Sequence, residues 1–258
     1  LTSGLNLMNI NQIAAESFQD DRPITFEHLA KRKREIIRNE AMGLLEFIDT
    51  DYDLSLVSGH SFVKKRFKIA AKALQSARTD VLPMGYLISG PIGTGKTFIV
   101  SAFAGEIGIP MVRLLNFRSQ WQGTTESNLE KVLNILRAMA PVAVMIDEAD
   151  VVLGGRISND VSGTSARVFA QIANFMGNTE YRGKIIWFLI TCRPDLIPVD
   201  LKRQGRAEEH LALFYPETDA EKLDLFITLQ RKLQIKTHEV NFASVIKKIK
   251  FDVSGADI

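Results

Sequence analysis

The sequence predicts an α/β fold with a mainly parallel sheet covered by helices on both faces, followed by a small all-helical part. Short apolar runs typical of buried strands recur at 86–88, 111–115, 142–146, 185–190 and 211–214. Segments with the 3.6-residue periodicity of helices separate most of these runs, 128–138 among them. After Pro216 the strand pattern ends, and residues 219–250 are typical of short helices.

The first 50 residues are predicted to form a lead-in and one helix outside the sheet. Residues 1–23 show no clear periodicity. From 26 to 49 a helix is predicted, because apolar side chains recur near its period at Leu29, Ile36, Ile37, Leu44, Leu45 and Ile48. The domains expected are a lead-in at 1–50, an α/β domain at 51–216 and a partial helical lid at 217–258.

Composition is that of an ordinary globular protein. The 258 residues are 46% hydrophobic and 24% charged, and the net charge of +2 gives no indication of nucleic-acid binding. Cys192 is the single cysteine, so no disulfide forms within the chain and a reducing compartment is expected. No uninterrupted apolar run approaches the roughly 20 residues that a membrane span needs, and the first residues lack the basic-then-apolar pattern of a signal peptide. Because it starts at Leu1 and stops at Ile258, we expect a fragment of a longer protein.

A glycine-rich segment separates the predicted strand at 85–89 from an apolar helix. Residues 90–97, GPIGTGKT, match the Walker A pattern G-x-x-x-x-G-K-[ST]. The glycines allow a tight turn that directs N–H groups at phosphate oxygens, and the helix N-terminus favours an anion. Lys96 would contact the β- and γ-phosphates, and Thr97 would bind Mg²⁺. The sequence thus predicts a P-loop ATP site built from Gly90, Pro91, Ile92, Gly93, Thr94, Gly95, Lys96, Thr97 and Phe98.

Two adjacent carboxylates follow another predicted strand, in the manner of a Walker B motif. Asp147 and Glu148 come directly after the apolar run at 142–146. Asp147 would lie beside Thr97 and support Mg²⁺ through its waters. Glu148 projects differently and is placed to polarise the attacking water. Alone, such a pair often marks only a solvated helix start; beside a P-loop it predicts ATP hydrolysis.

Further motifs narrow the family. Residues 191–195, TCRPD, and 203–206, RQGR, resemble the second region of homology of the AAA ATPases, in the clade that includes the proteasomal ATPases and katanin. Residues 119–129, SQWQGTTESNL, resemble that family's pore loop, and 254–258, SGADI, resemble the opening of its last lid helix. The motifs follow family order over roughly 51–258, and 26–50 is similar to the lead-in of a poorly characterised bacterial and plastid branch.

The resemblance implies a site shared between subunits. Arg203 and Arg206 would act as arginine fingers on the γ-phosphate of the neighbouring subunit, so the active form would be a homo-oligomeric ring, a hexamer in this family. Two arginines on a solvated loop are the simpler alternative.

The resemblance also implies where the adenine binds. Ser58 and Gly59 would pack on one side of it, and Gly255 and Ala256 on the other. For His60, a packing role or plain exposure is as compatible with the sequence as a contact with the base. The family's lid has four helices, and this chain ends where the fourth would begin, so we expect an incomplete lid.

One position departs from the family. Where the family has the sensor Asn that orients the lytic water, this chain has Cys192, and a thiol is a weak donor and acceptor. Either Thr191 takes that role or hydrolysis is slow and the protein acts as a nucleotide switch. Successive strand side chains face opposite ways, so both point at the nucleotide only if the strand has ended. Packing at the sheet edge is a further alternative for Cys192.

Three functions are compatible with the sequence. The first is an ATP-driven ring that remodels or threads polypeptide, with Trp121, Gln122 and Gly123 as its pore loop, although Trp121 is also compatible with a buried position. The second is an ATP-dependent assembly or regulatory switch without threading, which Cys192 favours. The third is a nucleic-acid motor. The basic run at 62–72 favours it, whereas the near-neutral net charge of the chain argues against it. The expected location is the cytoplasm, or the plastid stroma for a member of that branch.

Overall fold

The computed structural model of the chain describes an α/β core and part of a helical segment. The described residues are 11, 15, 35, 41, 43–48, 50, 52–76, 78–107, 109–115, 125–153, 164–233, 242–246, 249 and 253–255. In this part of the chain, no helix is both long and apolar enough to cross a membrane.

Strands and helices alternate through the core, as predicted. The strands are β1 (Leu45–Ile48), β2 (Gly85–Ser89), β3 (Met111–Leu114), β4 (Val142–Ile146), β5 (Ile185–Thr191) and β6 (Ala207–Ala212). The α-helices are α1 (Ser61–Gln75), α2 (Lys96–Ile107), α3 (Thr125–Met139), α4 (Ala149–Leu153), α5 (Thr164–Met176), α6 (Asp219–Leu233) and α7 (Phe242–Ile246). Short 3₁₀ helices lie at Leu54–Leu56, Thr79–Val81, Thr179–Tyr181 and Val199–Leu201.

The six described strands form one sheet in the order β1-β3-β4-β5-β2-β6. All neighbours are parallel except β1, which is antiparallel to β3. Ile146 at the end of β4 is opposite Leu189, and Ser89 at the end of β2 is opposite Thr191. The segments that follow β2, β4 and β5 therefore meet at one edge of the sheet, where open α/β sheets bind ligands.

Two apolar clusters cover the two faces of the sheet. All seven residues of β5 are buried, and its side chains alternate between the clusters, as a strand covered on both faces requires. Trp187 and Leu189 join the cluster with α3 and α5, whereas Phe188 and Ile190 join the cluster with α1 and α2. The predicted fold class is confirmed.

The helix predicted over 26–49 is wrong at its C-terminal end. Residues Leu45–Ile48 form β1 and pair with Met111–Leu114, after Gly43 in the left-handed region at φ +77°. Apolar side chains at 44, 45 and 48 fit a helical period as well as a short buried strand. Pairing with a strand more than 60 residues away decides between the two. The sheet therefore begins before residue 51.

The last strand begins earlier than the predicted run at 211–214. It covers Ala207–Ala212 and runs parallel to β2, with Ala212 opposite Ser89. The first half of this strand is not an apolar run, because it contains Glu208, Glu209 and His210. The helices predicted after Pro216 are confirmed by α6 and α7.

Candidate nucleotide site

The predicted phosphate loop connects β2 to α2. Gly90, Gly93 and Gly95 have φ values of +151°, +83° and +82°, a region that other residues rarely adopt. A Cβ on Gly90 would lie 2.3 Å from the carbonyl oxygen of Leu213, so the loop packs directly against the chain leaving β6. The segment has the backbone that the Walker A pattern predicts.

Lys96 is folded back over this loop. It is only 8% exposed, and its Nζ donates to the carbonyl oxygens of Gly90 at 2.8 Å and Pro91 at 2.6 Å. The Thr94 hydroxyl also donates to Pro91, at 2.9 Å. The ammonium is therefore held inside the loop, where phosphate oxygens would be stronger acceptors than carbonyls because they are charged.

Thr97 and Asp147 meet at the edge where β2 and β4 end. The Thr97 hydroxyl donates to Asp147 Oδ2 at 3.1 Å, and Asp147 Oδ1 accepts from the Glu148 amide at 3.0 Å. A hydroxyl and a carboxylate are the hard oxygen ligands that Mg²⁺ prefers, and this ion usually takes few ligands from the protein. The pair fits Mg²⁺ beside a bound polyphosphate.

Glu148 lies between β4 and α4 in an unusual backbone conformation. Its φ is +48°, a left-handed position that costs on the order of 1–3 kcal/mol for a residue other than glycine. Its carbonyl accepts from Val151 at 2.8 Å and Val152 at 3.1 Å, which ties it to the start of α4. The side chain is exposed, next to Asp147. Asp147 is thus bonded to Thr97, whereas the Glu148 side chain is exposed, so the two carboxylates have different surroundings.

Thr191 and Cys192 are placed very differently. Thr191 is 1% exposed; its hydroxyl donates to Asp150 Oδ1 at 2.5 Å and accepts from the Arg193 amide at 2.8 Å. Cys192 is exposed just beyond β5. The Thr191 hydroxyl is thus engaged in the protein's own hydrogen bonds, and the burial expected if Cys192 served packing is not found.

A cavity of about 730 Å³ adjoins the phosphate loop. One wall is formed by residues 56–63, with Ser58 and Gly59, and another by Leu225, Thr228, Leu229 and Lys232 of α6. Gly255 also lines it and donates its amide to the carbonyl of Gly93 at 3.2 Å. The volume is that of an ordinary small-molecule site. Except for Ala256, the predicted adenine-side residues therefore lie around one cavity with the loop.

An aspartate on α6, which sequence analysis did not single out, joins the two walls. Asp224 Oδ2 accepts from the Ser58 hydroxyl at 2.7 Å and from the Gly59 amide at 3.1 Å. The Ser58 hydrogen bond is the largest cause of a lowered Asp224 pKa. The carboxylate is therefore charged at neutral pH and holds α6 to the segment before α1.

His60 connects the wall at residues 56–63 to the phosphate loop. Its Nε2 lies 3.0 Å from the carbonyl oxygen of Thr94, which can only accept, so the ring donates this hydrogen bond. Burial lowers the pKa of His60, which favours the neutral ring at pH 7. This contact fits packing between the wall and the phosphate loop.

Tyr52 and Lys232, which sequence analysis did not single out, contact the predicted site residue Phe98. Tyr52 and Phe98 stack with ring centroids 4.7 Å apart, and Lys232 Nζ lies 4.0 Å from the Phe98 centroid. A cation over a ring face is stabilised by the ring's quadrupole. This contact brings α6 against the start of α2.

The two predicted arginine fingers are not equivalent. Arg203 is exposed, whereas Arg206 is 8% exposed and donates from Nη1 to the Asp200 carbonyl at 2.8 Å. Burial lowers the pKa of Arg206, with a smaller contribution from the charge of Arg203. A Cβ on Gly177 would lie 3.5 Å from Arg206 Nε, so this guanidinium packs against the end of α5. In this chain Arg206 therefore faces inward.

Some predicted residues lie outside the described part of the chain. These are the pore-loop residues Trp121, Gln122 and Gly123, and Ala256.

Two family models match the chain. The one described as "ATPase family associated with various cellular activities (AAA)" matches residues 86–215, half of the chain and the part that carries the phosphate loop, the carboxylates and the arginines. The other, described as "AAA+ chaperone, second helical domain", matches residues 1–42.

Curated relatives agree with the first match. The chain is 31% identical over 179 residues to "Protein SAV" of Sulfolobus acidocaldarius, which covers 68% of this chain and 22% of the relative. It is 33% identical over 143 residues to the "Cell division cycle protein 48 homolog" of Archaeoglobus fulgidus, covering 54% and 19%. It is 24% identical over 265 residues to the "Uncharacterized AAA domain-containing protein ycf46" of Guillardia theta, covering 100% and 51%. The chain spans between about a fifth and about half of the length of these relatives. With the geometry of the loop and its carboxylates, these matches show that the chain belongs to the AAA family of ATPases.

Proposed function

We propose that this ATPase binds ATP and Mg²⁺ in the cavity beside residues 90–97 and hydrolyses ATP in a ring of copies that remodels polypeptide. One observation carries the hydrolytic part: Lys96, Thr97, Asp147 and Glu148 converge where β2 and β4 end. The remodelling part is supported by the pore-loop resemblance at 121–123.

Each residue has one task in the proposed reaction. Lys96 gives up its carbonyl partners and binds the β- and γ-phosphates, while Thr97 and Asp147 hold Mg²⁺. The ion, when bound, neutralises charge that develops on the phosphates. Glu148 accepts the proton of the attacking water. Ser58, Gly59 and Gly255 enclose the base, and we propose the same for Ala256.

The position of Arg203 supports a site completed by a second copy. Ala207, just after the arginines, is opposite Gly85 at the start of β2, whereas the phosphate loop follows the other end of that strand. Five residues of strand separate these ends by roughly 13 Å at about 3.3 Å per residue. Arg203 is therefore on the far edge of the sheet from its own phosphate loop, and a neighbouring copy is the partner whose nucleotide it would reach.

We also propose bounds for the α/β unit and a cellular compartment for the chain. We place the start of the α/β unit at Leu45 instead of residue 51, because β1 is part of the sheet, and keep its end at Pro216. The helical lid follows from residue 217. A reducing compartment, either the cytoplasm or the plastid stroma, is proposed from the single cysteine and the relative of Guillardia theta.

Mixing two inactive variants tests the shared site. Lys96→Ala removes the phosphate contact but keeps Arg203, and Arg203→Ala keeps the phosphate loop but lacks the finger. Each alone should lose roughly 10³-fold or more in turnover. In a random 1:1 ring about a quarter of the interfaces join an intact phosphate loop to an intact Arg203. The rate of phosphate release should therefore recover to about a quarter of the rate of the unsubstituted chain.

The matched control replaces the second chain by one with both substitutions, which offers no intact site. Co-assembly is verified by crosslinking. Mixed rings without recovery would show that Arg203 does not act across an interface.

The second candidate function, a nucleotide switch with weak hydrolysis, is favoured by the exposed Cys192 beside an engaged Thr191 hydroxyl. In this case the chain binds ATP and assembles, but water is poorly positioned. Turnover by the unsubstituted chain, measured beside its ATP affinity, separates the two candidates: tight binding with negligible turnover favours the switch.

We predict that Cys192→Asn raises the hydrolysis rate about tenfold or more. An amide offers a carbonyl acceptor and two N–H donors, and one well-placed donor is typically worth about 2.7–4 kcal/mol in an active site. Because position 192 is exposed, the melting temperature should hardly change. Cys192→Ser is the control for size. Thr191→Val removes the hydroxyl that donates a hydrogen bond to Asp150, so it should chiefly lower stability. If Thr191→Val is instead stable with low turnover, and Cys192→Asn does not raise the rate, then Thr191 is the residue that orients the water.

A further inference from the structure

The segment that carries Arg203 is fixed at several points. This arginine loop comprises residues 202–206, between the 3₁₀ helix Val199–Leu201 and β6. Lys202 Nζ donates to the Pro194 carbonyl at 2.6 Å, and the Arg206 amide donates to the Arg203 carbonyl at 3.2 Å. Gly205 has a φ of +83°, and its amide donates to Glu208 Oε1 at 2.8 Å. Arg203 is exposed, and no hydrogen bond or ion pair joins its guanidinium to the described residues.

Glu208 is the centre of a hydrogen-bond network behind the arginine loop. Its side chain is 11% exposed. Oε1 accepts from Gly205 and from Arg182 Nη2, both at 2.8 Å. Oε2 accepts from the Met84 amide and from Arg182 Nη1, both at 3.1 Å. Each carboxylate oxygen therefore has two donors.

The network ties the arginine loop to the sheet. Met84 immediately precedes β2, and Arg182, which also donates to the Leu82 carbonyl at 2.5 Å, precedes β5. Burial alone would raise the pKa of Glu208, but the hydrogen bonds from Arg182, Gly205 and Met84 bring it below its ordinary value. A charged carboxylate with four donors is a rigid support, because every lone-pair direction is occupied.

We propose that Glu208 is a positioning residue for hydrolysis in the neighbouring copy: by holding the Gly205 amide it fixes the arginine loop in the shape that projects Arg203. Gly205 is the most permissive residue of the loop, so its own backbone preference does not select the left-handed conformation over the others, and the contact with Glu208 does. Without that contact Arg203 would sample many positions, and the benefit of a preorganised charge falls steeply with misplacement. This inference rests on the proposed function, because it requires Arg203 to act between copies.

The test uses the mixed rings, in which finger and phosphate loop come from different chains. The chain with Lys96→Ala supplies the intact finger and is called the donor. The chain with Arg203→Ala supplies the intact phosphate loop and is called the acceptor; both are otherwise the full chain. Adding Glu208→Gln to the donor should lower the recovered turnover about tenfold or more. Adding it to the acceptor, whose own finger is absent, should leave recovery unchanged. A merely structural role of Glu208 would reduce recovery equally from both chains.

Glu209→Gln is the matched control. Glu209 is the adjacent residue and pairs with Arg66 of α1, away from the arginine loop. It should have no effect in either chain. If Glu208→Gln fails to fold, Arg182→Lys takes its place, since it keeps the charge but loses the two-pronged contact; the same asymmetry is expected.

The outcomes distinguish this inference from the proposed function. Recovery by the donor and acceptor pair, with equal effects or none of Glu208→Gln and Arg182→Lys in the two chains, overturns the role of Glu208 alone. Absence of recovery in the parent mixture, with co-assembly shown, overturns the shared site and this inference together. Loss confined to the donor supports both.

Discussion

Lys96→Ala should abolish detectable ATP binding. The buried ammonium is the cation held within the phosphate loop, and it would exchange two carbonyl acceptors for charged phosphate oxygens. Charge-assisted hydrogen bonds are typically worth about 1.5–3 kcal/mol each, so losing two should reduce affinity on the order of 10²–10⁴-fold. Calorimetric titration with ATP and Mg²⁺ measures the effect.

Lys72→Ala is the matched control, because Lys72 is exposed on α1 and does not line the cavity. Its affinity should equal that of the parent. Circular dichroism must show that Lys96→Ala is folded, since the substitution leaves the Gly90 and Pro91 carbonyls without their donor. An unchanged affinity in the folded variant would place the nucleotide elsewhere.

Glu148→Gln should separate binding from hydrolysis. The amide keeps the size of the side chain but cannot accept the proton of water, so turnover should fall by roughly 10²–10⁴-fold while ATP still binds. Glutamine shares the left-handed strain of glutamate at φ +48°, so stability should hardly change. Phosphate release measures turnover, and calorimetry measures affinity.

Glu130→Gln on the exposed side of α3 is the control for the loss of one charge. If ATP bridges copies through Arg203, the Glu148→Gln chain should also sediment as a larger assembly in ATP than the parent. Hydrolysis at the parent rate would remove Glu148 from the mechanism.

The phosphate loop and the paired carboxylates were predictable because their chemistry is local. Eight consecutive residues determine the turn at 90–97, and Asp147 follows its strand directly. The meeting of Thr97 with Asp147 required only that parallel strands end at the same edge. Short motifs beside strongly apolar strands therefore describe this part of the site well.

Contacts between distant segments were not predictable from local pattern. Asp224 is 166 residues from Ser58, and nothing near either residue indicates the hydrogen bond. β1 depends in the same way on pairing with β3, because four residues are too few to show a period. The RQGR motif likewise gives the spacing of two arginines but not the burial of Arg206, which depends on its hydrogen bond to the Asp200 carbonyl and its packing beside Gly177.

The hydrogen bond between Asp224 and the Ser58–Gly59 segment has a thermodynamic consequence for nucleotide exchange. The cavity beside the phosphate loop has one wall on residues 56–63 and one on α6, so a nucleotide that touched both walls would favour the arrangement in which Asp224 holds them together. Coupling between two equilibria is reciprocal: whatever factor the nucleotide contributes to closure, closure must return to nucleotide affinity. A partner that moved α6 away from Ser58 would therefore weaken nucleotide affinity by a certain factor, and bound nucleotide would oppose that movement by the same factor. Force applied to α6 would then have the same effect on nucleotide occupancy as a lower concentration of ATP.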